Sequence, residues 1–175
     1  MSDSKTPRTR ILFVCPSDAS FIRVDRELLA ERFEVEVWRQ PGRFTNLVRL
    51  VRSLRRCELV VGWWASWHTF WPITLAWMTG KPSLLIVGGF DTANMPEIGY
   101  GYQQGGMRRA LSRWVMRRAT TLATNSEYSR REIEANIGLG ADRVGVIRDG
   151  RIIQLGTPAE LAAAPADEFV ARVFG

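Results

Sequence analysis

A single carboxylate follows a glycine pair near the middle of the chain, and this stretch carries the first candidate chemistry. The run Ser83 to Val87 lies between Pro82 and the glycines, which is typical of a strand buried on both faces of a parallel sheet. Gly88 and Gly89 would let the backbone turn sharply and approach a ligand closely. Asp91 is then expected at the carboxyl end of the strand, where open parallel sheets bind their ligands. The alternative is an ordinary strand exit with a solvated acid.

Two polar residues, Ser126 and Glu127, follow a predicted strand at the start of a predicted helix. The free backbone N–H groups of a helix N-terminus suit a phosphate, so both residues are candidates for anion binding. A helix cap is the alternative role for residues of these types. His68 is the one histidine of the chain and has no cysteine nearby in the sequence, so the ligands of a metal site are lacking. Neither a metal ion nor a cofactor is expected.

The composition is that of a globular protein with one sizeable core: 175 residues, 46% hydrophobic and 24% charged. The net charge of +6 makes acidic partners plausible, such as phosphates, nucleotides or an anionic membrane surface. Almost all of the basic excess is arginine, which suits phosphate contacts but also follows from codon bias. Cys15 and Cys57 have no disulfide or metal spacing, so a cytoplasmic location is expected. No nucleic-acid recognition motif is present, and nucleic acid is not expected as a partner.

Apolar runs alternate with amphipathic segments along the chain. Strands are predicted at residues 11–15, 33–38, 58–61, 83–87, 121–124 and 144–147, and helices at 21–32, 46–56, 70–79, 107–118 and 127–137, with Ser20 as a candidate cap. This order predicts a Rossmann-like, doubly wound α/β fold with a mainly parallel, six-stranded sheet. The uncharged residues 59–80 could span a bilayer by their length, but Gly62 and Pro72 interrupt them. A strand, a loop and a helix with Pro72 in its first turn are predicted instead.

Three segments together resemble the N-terminal half of a GT-B glycosyltransferase of family 4 (group 1). They are residues 81–91 (KPSLLIVGGFD), 96–101 (PEIGYG) and 118–131 (RATTLATNSEYSRR), and the likeness extends over about residues 10–147. In that family, the N-terminal Rossmann-like domain mainly binds the acceptor. The C-terminal domain binds the nucleotide sugar and supplies an acidic pair, and catalysis takes place between the two domains.

The resemblance implies roles for individual residues. His68 would lie in the loop after the third strand and face the cleft, or else be satisfied within an aromatic cluster. Asp91 and Glu97 would lie in the loop that meets the acceptor, where a carboxylate could orient sugar hydroxyls. The arginines of residues 107–118 could contact the phosphate of a lipid-linked acceptor or a membrane, with Trp63, Trp64, Trp67 and Trp71 as interfacial anchors if they are exposed. Core tryptophans beside a solvated basic helix are the simpler interpretation.

The C-terminal residues resemble a different family. Residues 141–175 are similar to the end of an ABC-transporter ATPase subunit of the glycine betaine/osmoprotectant type, which implies a hairpin about Asp149-Gly150 and a helix opened by Thr157-Pro158. Arg148 to Gly150 stands where the glycosyltransferases carry a Pro-x-Gly-Val-Asp-like turn. The chain has no Gly-x-x-x-x-Gly-Lys-Ser/Thr phosphate loop, so no ATPase is inferred. A junction between two unrelated sequences is suspected near residues 141–148.

These observations predict a domain organisation and a function. Residues 1–9 are expected to be a disordered N-terminus, 10–147 the glycosyltransferase N-terminal domain, and 148–175 the ABC-ATPase-like tail. The predicted function is the acceptor-binding half of a retaining nucleotide-sugar glycosyltransferase, inactive alone because the donor domain is missing. The alternative is a non-catalytic fusion module or a component associated with an ABC transporter. Expected partners are a sugar or lipid-linked acceptor, a nucleotide sugar only with a complementary domain, and, as an option, the inner face of the membrane.

Overall fold

The computed structural model describes residues 8–40, 44–139, 144–148, 151–155 and 163–164. Seven strands of this part form one sheet in the order β2-β1-β3-β4-β5-β6-β7. The strands are β1 (Arg10–Cys15), β2 (Glu34–Arg39), β3 (Leu59–Trp63), β4 (Ser83–Val87), β5 (Thr121–Thr124), β6 (Val144–Arg148) and β7 (Arg151–Leu155). Neighbours from β2 through β6 are parallel, and β7 pairs antiparallel with β6. The predicted mainly parallel sheet is confirmed, and the first strand of the tail extends it.

In the part of the chain that the structure describes, five helices of ten or more residues connect or follow the parallel strands and cover both faces of the sheet. They are α1 (Ser20–Ala30), α2 (Leu47–Arg56), α3 (Trp67–Met78), α4 (Gly106–Arg118) and α5 (Glu127–Ile137). On one face, Ile22 of α1 packs with the buried strand residues Ile11 and Phe13. On the other face, helices α2 to α5 contribute the buried residues Leu50, Ile73, Val115 and Ile133 to a second cluster with Leu12 and Val14. Apolar runs buried on both faces are what a doubly wound parallel sheet requires.

The start of α3 differs from the sequence prediction. The helix begins at Trp67 rather than Phe70, because the Thr69 hydroxyl accepts a hydrogen bond from the Ser66 backbone N–H at 3.1 Å and closes the N-terminal turn. Pro72 therefore lies inside the helix and not in its first turn, and it is buried. Ser20 is likewise the first residue of α1 and not its cap, since Ala19 holds the cap position without a side-chain hydrogen bond.

The tail prediction is tested only in part. Strands β6 and β7 pair antiparallel on either side of residues 149–150, which fits the predicted hairpin. Asp149 and Gly150 themselves, the helix expected from Thr157-Pro158, and residues 1–7 of the N-terminus lie outside the described residues. Among the helices that the structure describes, none combines the length and the apolar character needed to cross a membrane.

Candidate functional site

The carboxyl ends of the parallel strands meet at one edge of the sheet, and the turns after β3 and β4 lie side by side there. The turn Trp63–Ser66 is called the aromatic turn below. Asp91, from the loop after β4, accepts a hydrogen bond from the Ala65 N–H at 2.9 Å through Oδ2 and from the Gly88 N–H at 3.1 Å through Oδ1. The carboxylate is 1% exposed. Asp91 thus lies at the strand end that the sequence predicts, but it ties two turns together instead of facing solvent.

The buried environment of Asp91 raises the pKa of its carboxyl group. Burial raises the pKa of Asp91 to about 6, although the hydrogen bonds from the backbone N–H groups of Ala65 and Gly88 favour the charged form. The carboxylate is therefore mostly ionised at neutral pH and becomes protonated in mildly acidic solution.

This raised pKa predicts the direction of a pH effect. The usual pKa of an aspartate is about 3.9, so between about pH 4 and pH 6 the folded chain holds a proton at Asp91 that the unfolded chain has released. The contribution of Asp91 to stability therefore falls as pH rises through this window and is constant above it. Melting temperatures of the wild type and of Asp91→Asn measured from pH 4 to pH 8 check this. The advantage of the wild type over the variant should shrink up to pH 6; a constant difference would contradict the assignment.

His68 also contacts the backbone of the aromatic turn. It lies in the first turn of α3 rather than in a loop, is 5% exposed, and its Nε2 is 2.5 Å from the Trp63 carbonyl oxygen. Burial lowers the pKa of His68, so the imidazole is neutral and its Nε2–H donates to that carbonyl. His68 and Asp91 therefore both hold the backbone of the aromatic turn.

Trp64 adopts an unusual backbone conformation in this turn. Its φ is +61°, and it is the one non-glycine residue with positive φ among the described residues. Its N–H donates to the Ile86 carbonyl at 2.8 Å, and its own carbonyl accepts from the Thr69 hydroxyl at 2.7 Å. A bulky residue seldom takes the left-handed region, and such strain persists only where surrounding bonds fix it. Nothing in the sequence signals this conformation.

Two clusters of aromatic side chains belong to the end of β3 and to the segments that follow β1, β3 and β4. Phe21, Trp63 and Trp64 form one cluster, with ring centroids 5.2 to 5.8 Å apart. Phe90 contacts Tyr100 and Tyr102 in a second cluster, with centroids 4.9 Å apart in both pairs. Phe21 is 45% exposed and Phe90 is 38% exposed, so each cluster presents an aromatic surface to solvent.

A buried polar network fixes the loop after β4 against α4. Gln103 is 2% exposed, and its side-chain amide donates to the Asp91 carbonyl at 2.7 Å. The Ser112 hydroxyl donates to the same carbonyl at 3.1 Å, and Arg113 Nε donates to Gln103 Oε1 at 3.0 Å. Sequence analysis missed Gln103 and Ser112, because a buried glutamine and a buried helical serine have no local pattern that sets them apart from solvated ones.

The two glycines predicted to turn the chain after β4 behave differently. Gly89 has φ +76°, a left-handed conformation that favours glycine, whereas Gly88 does not. A Cβ at Gly88 would meet only Asn125 Oδ1, at 3.9 Å. Further along the loop, Gly101 has φ +105°, and a Cβ there would lie 2.0 Å from the Ala93 carbonyl oxygen. The close backbone approach therefore occurs at Gly101, which sequence analysis did not single out for it.

The remaining predicted site residues are not joined to the aromatic turn by hydrogen bonds in the described ranges. Ser126 caps α5, since its hydroxyl accepts from the Ser129 N–H at 3.1 Å. Glu127 begins α5, but its side chain lies outside the described residues. Glu97 is exposed in a short 3-10 turn, Pro96–Ile98. Thr124, which ends β5 at the same edge, has a buried hydroxyl that lacks a hydrogen-bond partner within the described part.

The predicted interfacial anchors differ in exposure. Trp63 is 9% exposed, whereas Trp71 is 36% exposed. Trp77 and Trp114, on α3 and α4, are 52% and 37% exposed, and the Arg118 guanidinium lies over both rings. The exposed tryptophans are thus mostly not those that the sequence suggested. No group of three or more His, Cys, Asp or Glu side chains in the described residues could hold a metal ion.

The fold defines this part of the chain as a Rossmann-like α/β domain. Its candidate site lies at the carboxyl edge of a parallel sheet, where such domains bind their ligands. The family model described as "Glycosyl transferase 4-like domain" matches residues 8–150. The chain belongs to this family, and the resemblance found in the sequence is confirmed.

Curated ATP-binding proteins of import systems also match this chain, over short stretches. A ferric-ion import ATP-binding protein of Streptomyces coelicolor is 66% identical over 35 residues, which are 20% of this chain and 10% of that protein. A sulfate/thiosulfate import ATP-binding protein of Agrobacterium fabrum is 33% identical over 76 residues, or 43% of this chain and 22% of that protein. The chain thus spans about a tenth to a fifth of the length of these relatives. The 35-residue match fits the suspected fusion with an ATPase-like segment. The 76-residue match is longer than the tail of residues 148–175, so it extends beyond that tail.

Proposed function

We propose that residues 10–147 form the acceptor-binding domain of a nucleotide-sugar glycosyltransferase. The observation that carries this proposal is the family match over residues 8–150, supported by a hydrogen-bonded site at the carboxyl edge of the sheet. Asp91 and His68 hold the turn after β3, and two aromatic clusters belong to the same strand end and the neighbouring segments. The exposed aromatic rings are suited to contact an acceptor, while Asp91 and His68 fix the turn that carries Trp63 and Trp64. None of them is assigned a bond-making or proton-transfer role.

Sugar transfer would then need a second domain that binds the nucleotide sugar. Transfer with retention of the anomeric configuration is part of the same proposal, as is the assignment of residues 148–175 to an ATPase-like tail. In this proposal, Glu97 supplies an exposed carboxylate at the rim. Ser126 and Glu127 at the start of α5 are the candidates for an acceptor phosphate, because the first backbone N–H groups of a helix have no partner within the helix.

Ligand-dependent melting of the full chain tests the proposal. The panel contains methyl pyranosides with their disaccharides, an isoprenyl phosphate, UDP-glucose, GDP-mannose and ATP. We expect the melting temperature to rise with acceptor mimics and to stay unchanged with either nucleotide sugar alone. A rise with a nucleotide sugar but with no acceptor mimic would contradict an acceptor domain. A rise with ATP would support a transporter-associated module instead.

A second candidate function is contact with an anionic membrane. Trp71, Trp77 and Trp114 expose aromatic surface on α3 and α4, and the Arg118 guanidinium lies over the rings of Trp77 and Trp114. Tryptophan and arginine side chains on one surface suit the headgroup region of an anionic bilayer. Co-sedimentation with phosphatidylglycerol vesicles, but not with phosphatidylcholine vesicles, is the expected result, and binding should weaken in Trp77→Ala. Equal recovery with both vesicle types would overturn this candidate.

A further inference from the structure

We propose that the cluster of Phe21, Trp63 and Trp64 is the platform on which a sugar ring of the acceptor stacks, so that the acceptor is a glycoside. This inference rests on the proposed acceptor-binding function and names the substrate class of that site. It goes beyond the family match, which identifies neither an acceptor nor the residues that contact one.

The exposed part of the cluster supports a ligand with one apolar face. Trp64 stands against Phe21 at 5.7 Å and against Trp63 at 5.8 Å, with the ring planes steeply inclined. Trp63 is nearly buried, and its indole N–H donates to Asp25 Oδ2 at 3.1 Å, which fixes the base of the cluster. Phe21 remains 45% exposed and Trp64 is partly exposed, so aromatic surface is left for a ligand. The C–H face of a pyranose buries apolar area on such a surface.

The backbone of Trp64 is the second, independent observation. Glycine or asparagine would take φ +61° more easily than tryptophan, yet a tryptophan stands here. Its neighbours hold it in place: Ile86 accepts from its N–H, Thr69 donates to its carbonyl, and Asp91 accepts from the next N–H, that of Ala65. Strain that several bonds maintain at a strand end is a mark of a functional position. The function that fits is presentation of the indole ring at the edge of the sheet.

Charged groups that lie near Phe21 in the chain favour a sugar over a purely apolar ligand. Asp18, three residues before Phe21, forms ion pairs with Arg26 and Arg39. All three side chains are partly or largely exposed, at 45%, 28% and 48% respectively. Carboxylate and guanidinium groups of this kind can exchange hydrogen bonds with the hydroxyl groups of a sugar, which an aliphatic chain cannot offer. An apolar wall with a polar rim therefore favours a carbohydrate.

The experiment measures the effect of the Trp64 indole ring separately from the effect of its backbone conformation. Trp64→Ala and Trp64→Gly both remove the indole, but only glycine relieves the left-handed strain. Binding of the methyl pyranosides and disaccharides is measured by ligand-observed NMR on the full chain. We expect at least tenfold weaker binding in both variants and in Phe21→Ala. Trp64→Gly should melt about 2–4 °C above Trp64→Ala, the shift that about 1 kcal/mol produces in a chain of this size. Phe44→Ala, at a phenylalanine that is 98% exposed, is the matched control and should bind like the wild type.

The outcomes distinguish this inference from the function on which it rests. Glycoside binding that is unchanged in Trp64→Ala and Phe21→Ala overturns the platform and leaves the acceptor domain standing. If the wild type binds the isoprenyl phosphate but no glycoside, the glycoside class is wrong, while an acceptor site remains. If it binds neither, both the platform and the proposed function fail. Equal melting temperatures of the two Trp64 variants would refute the strain argument.

Discussion

Replacing Asp91 by alanine is expected to destabilise the chain by about 2–5 kcal/mol at neutral pH. The substitution leaves the backbone N–H groups of Ala65 and Gly88 unpaired next to a buried site, and each unpaired group costs about 1–3 kcal/mol. Removal of a buried charge offsets part of this cost. The free energy of unfolding from urea denaturation measures the effect. Glu97→Ala, at an exposed acid of the same loop, is the control and should change stability by less than about 0.5 kcal/mol.

The local consequence of that substitution can be followed separately from global stability. Hydrogen exchange at the amides of Ala65 and Gly88 should accelerate in Asp91→Ala more than exchange at amides in the middle of β4. Such a result would define Asp91 as a positioning residue for the aromatic turn, since it touches the backbone that carries Trp64. If Asp91→Ala is as stable as Glu97→Ala, the two hydrogen bonds do not hold the turns together.

Replacing Gly101 by alanine is expected to cost about 4 kcal/mol or more, because two independent effects add at this residue. Its φ of +105° is unfavourable for a side chain, and the new Cβ would lie 2.0 Å from a backbone oxygen, which cannot move aside as a flexible side chain can. The loop after β4 would therefore have to open. Urea denaturation measures the loss, and the tyrosine signals of Tyr100 and Tyr102 in NMR report on the loop itself.

Gly99→Ala provides the matched control for this loop. Gly99 has φ +65°, but nothing lies within 4 Å of a Cβ built there. Only the left-handed strain applies, so the expected cost is about 1–2 kcal/mol. If the two alanine variants are equally stable, Gly101 does not approach the Ala93 carbonyl closely.

Elements whose signals are local could be predicted from the sequence. Strand β4 matches its predicted bounds because Pro82 and the glycine pair delimit an apolar run. Helix α5 also matches, since Ser126 caps its start and Gly138 ends it in a left-handed conformation. The predicted start of α3 was wrong. Pro72 was interpreted as a first-turn proline, whereas Ser66 and Thr69 set the true start and stand among aromatic residues.

Features that depend on contacts between distant residues were beyond prediction. The carboxyl end of β4 was correctly expected to carry Asp91. Its burial follows from the turn after β3, more than twenty residues earlier in the chain, which supplies the Ala65 N–H. The conformation of Trp64 depends on Ile86 and Thr69, and the need for glycine at position 101 depends on Ala93. Such tertiary constraints leave no periodic trace in the sequence.

The way in which β7 joins the sheet bears on how a fusion of two unrelated sequences could fold. It is joined to the sheet through main-chain pairing with β6, from Gly145 opposite Leu155 to Arg148 opposite Arg151. Main-chain pairing places few constraints on the side chains, because nearly every residue type has the same backbone N–H and C=O groups. A recombination event that replaced the original continuation with an ATPase-like segment would therefore need no co-evolved interface at the junction. A new segment can therefore pair with an open strand edge more readily than it can dock as a helix, because the buried face of a helix must match its neighbours.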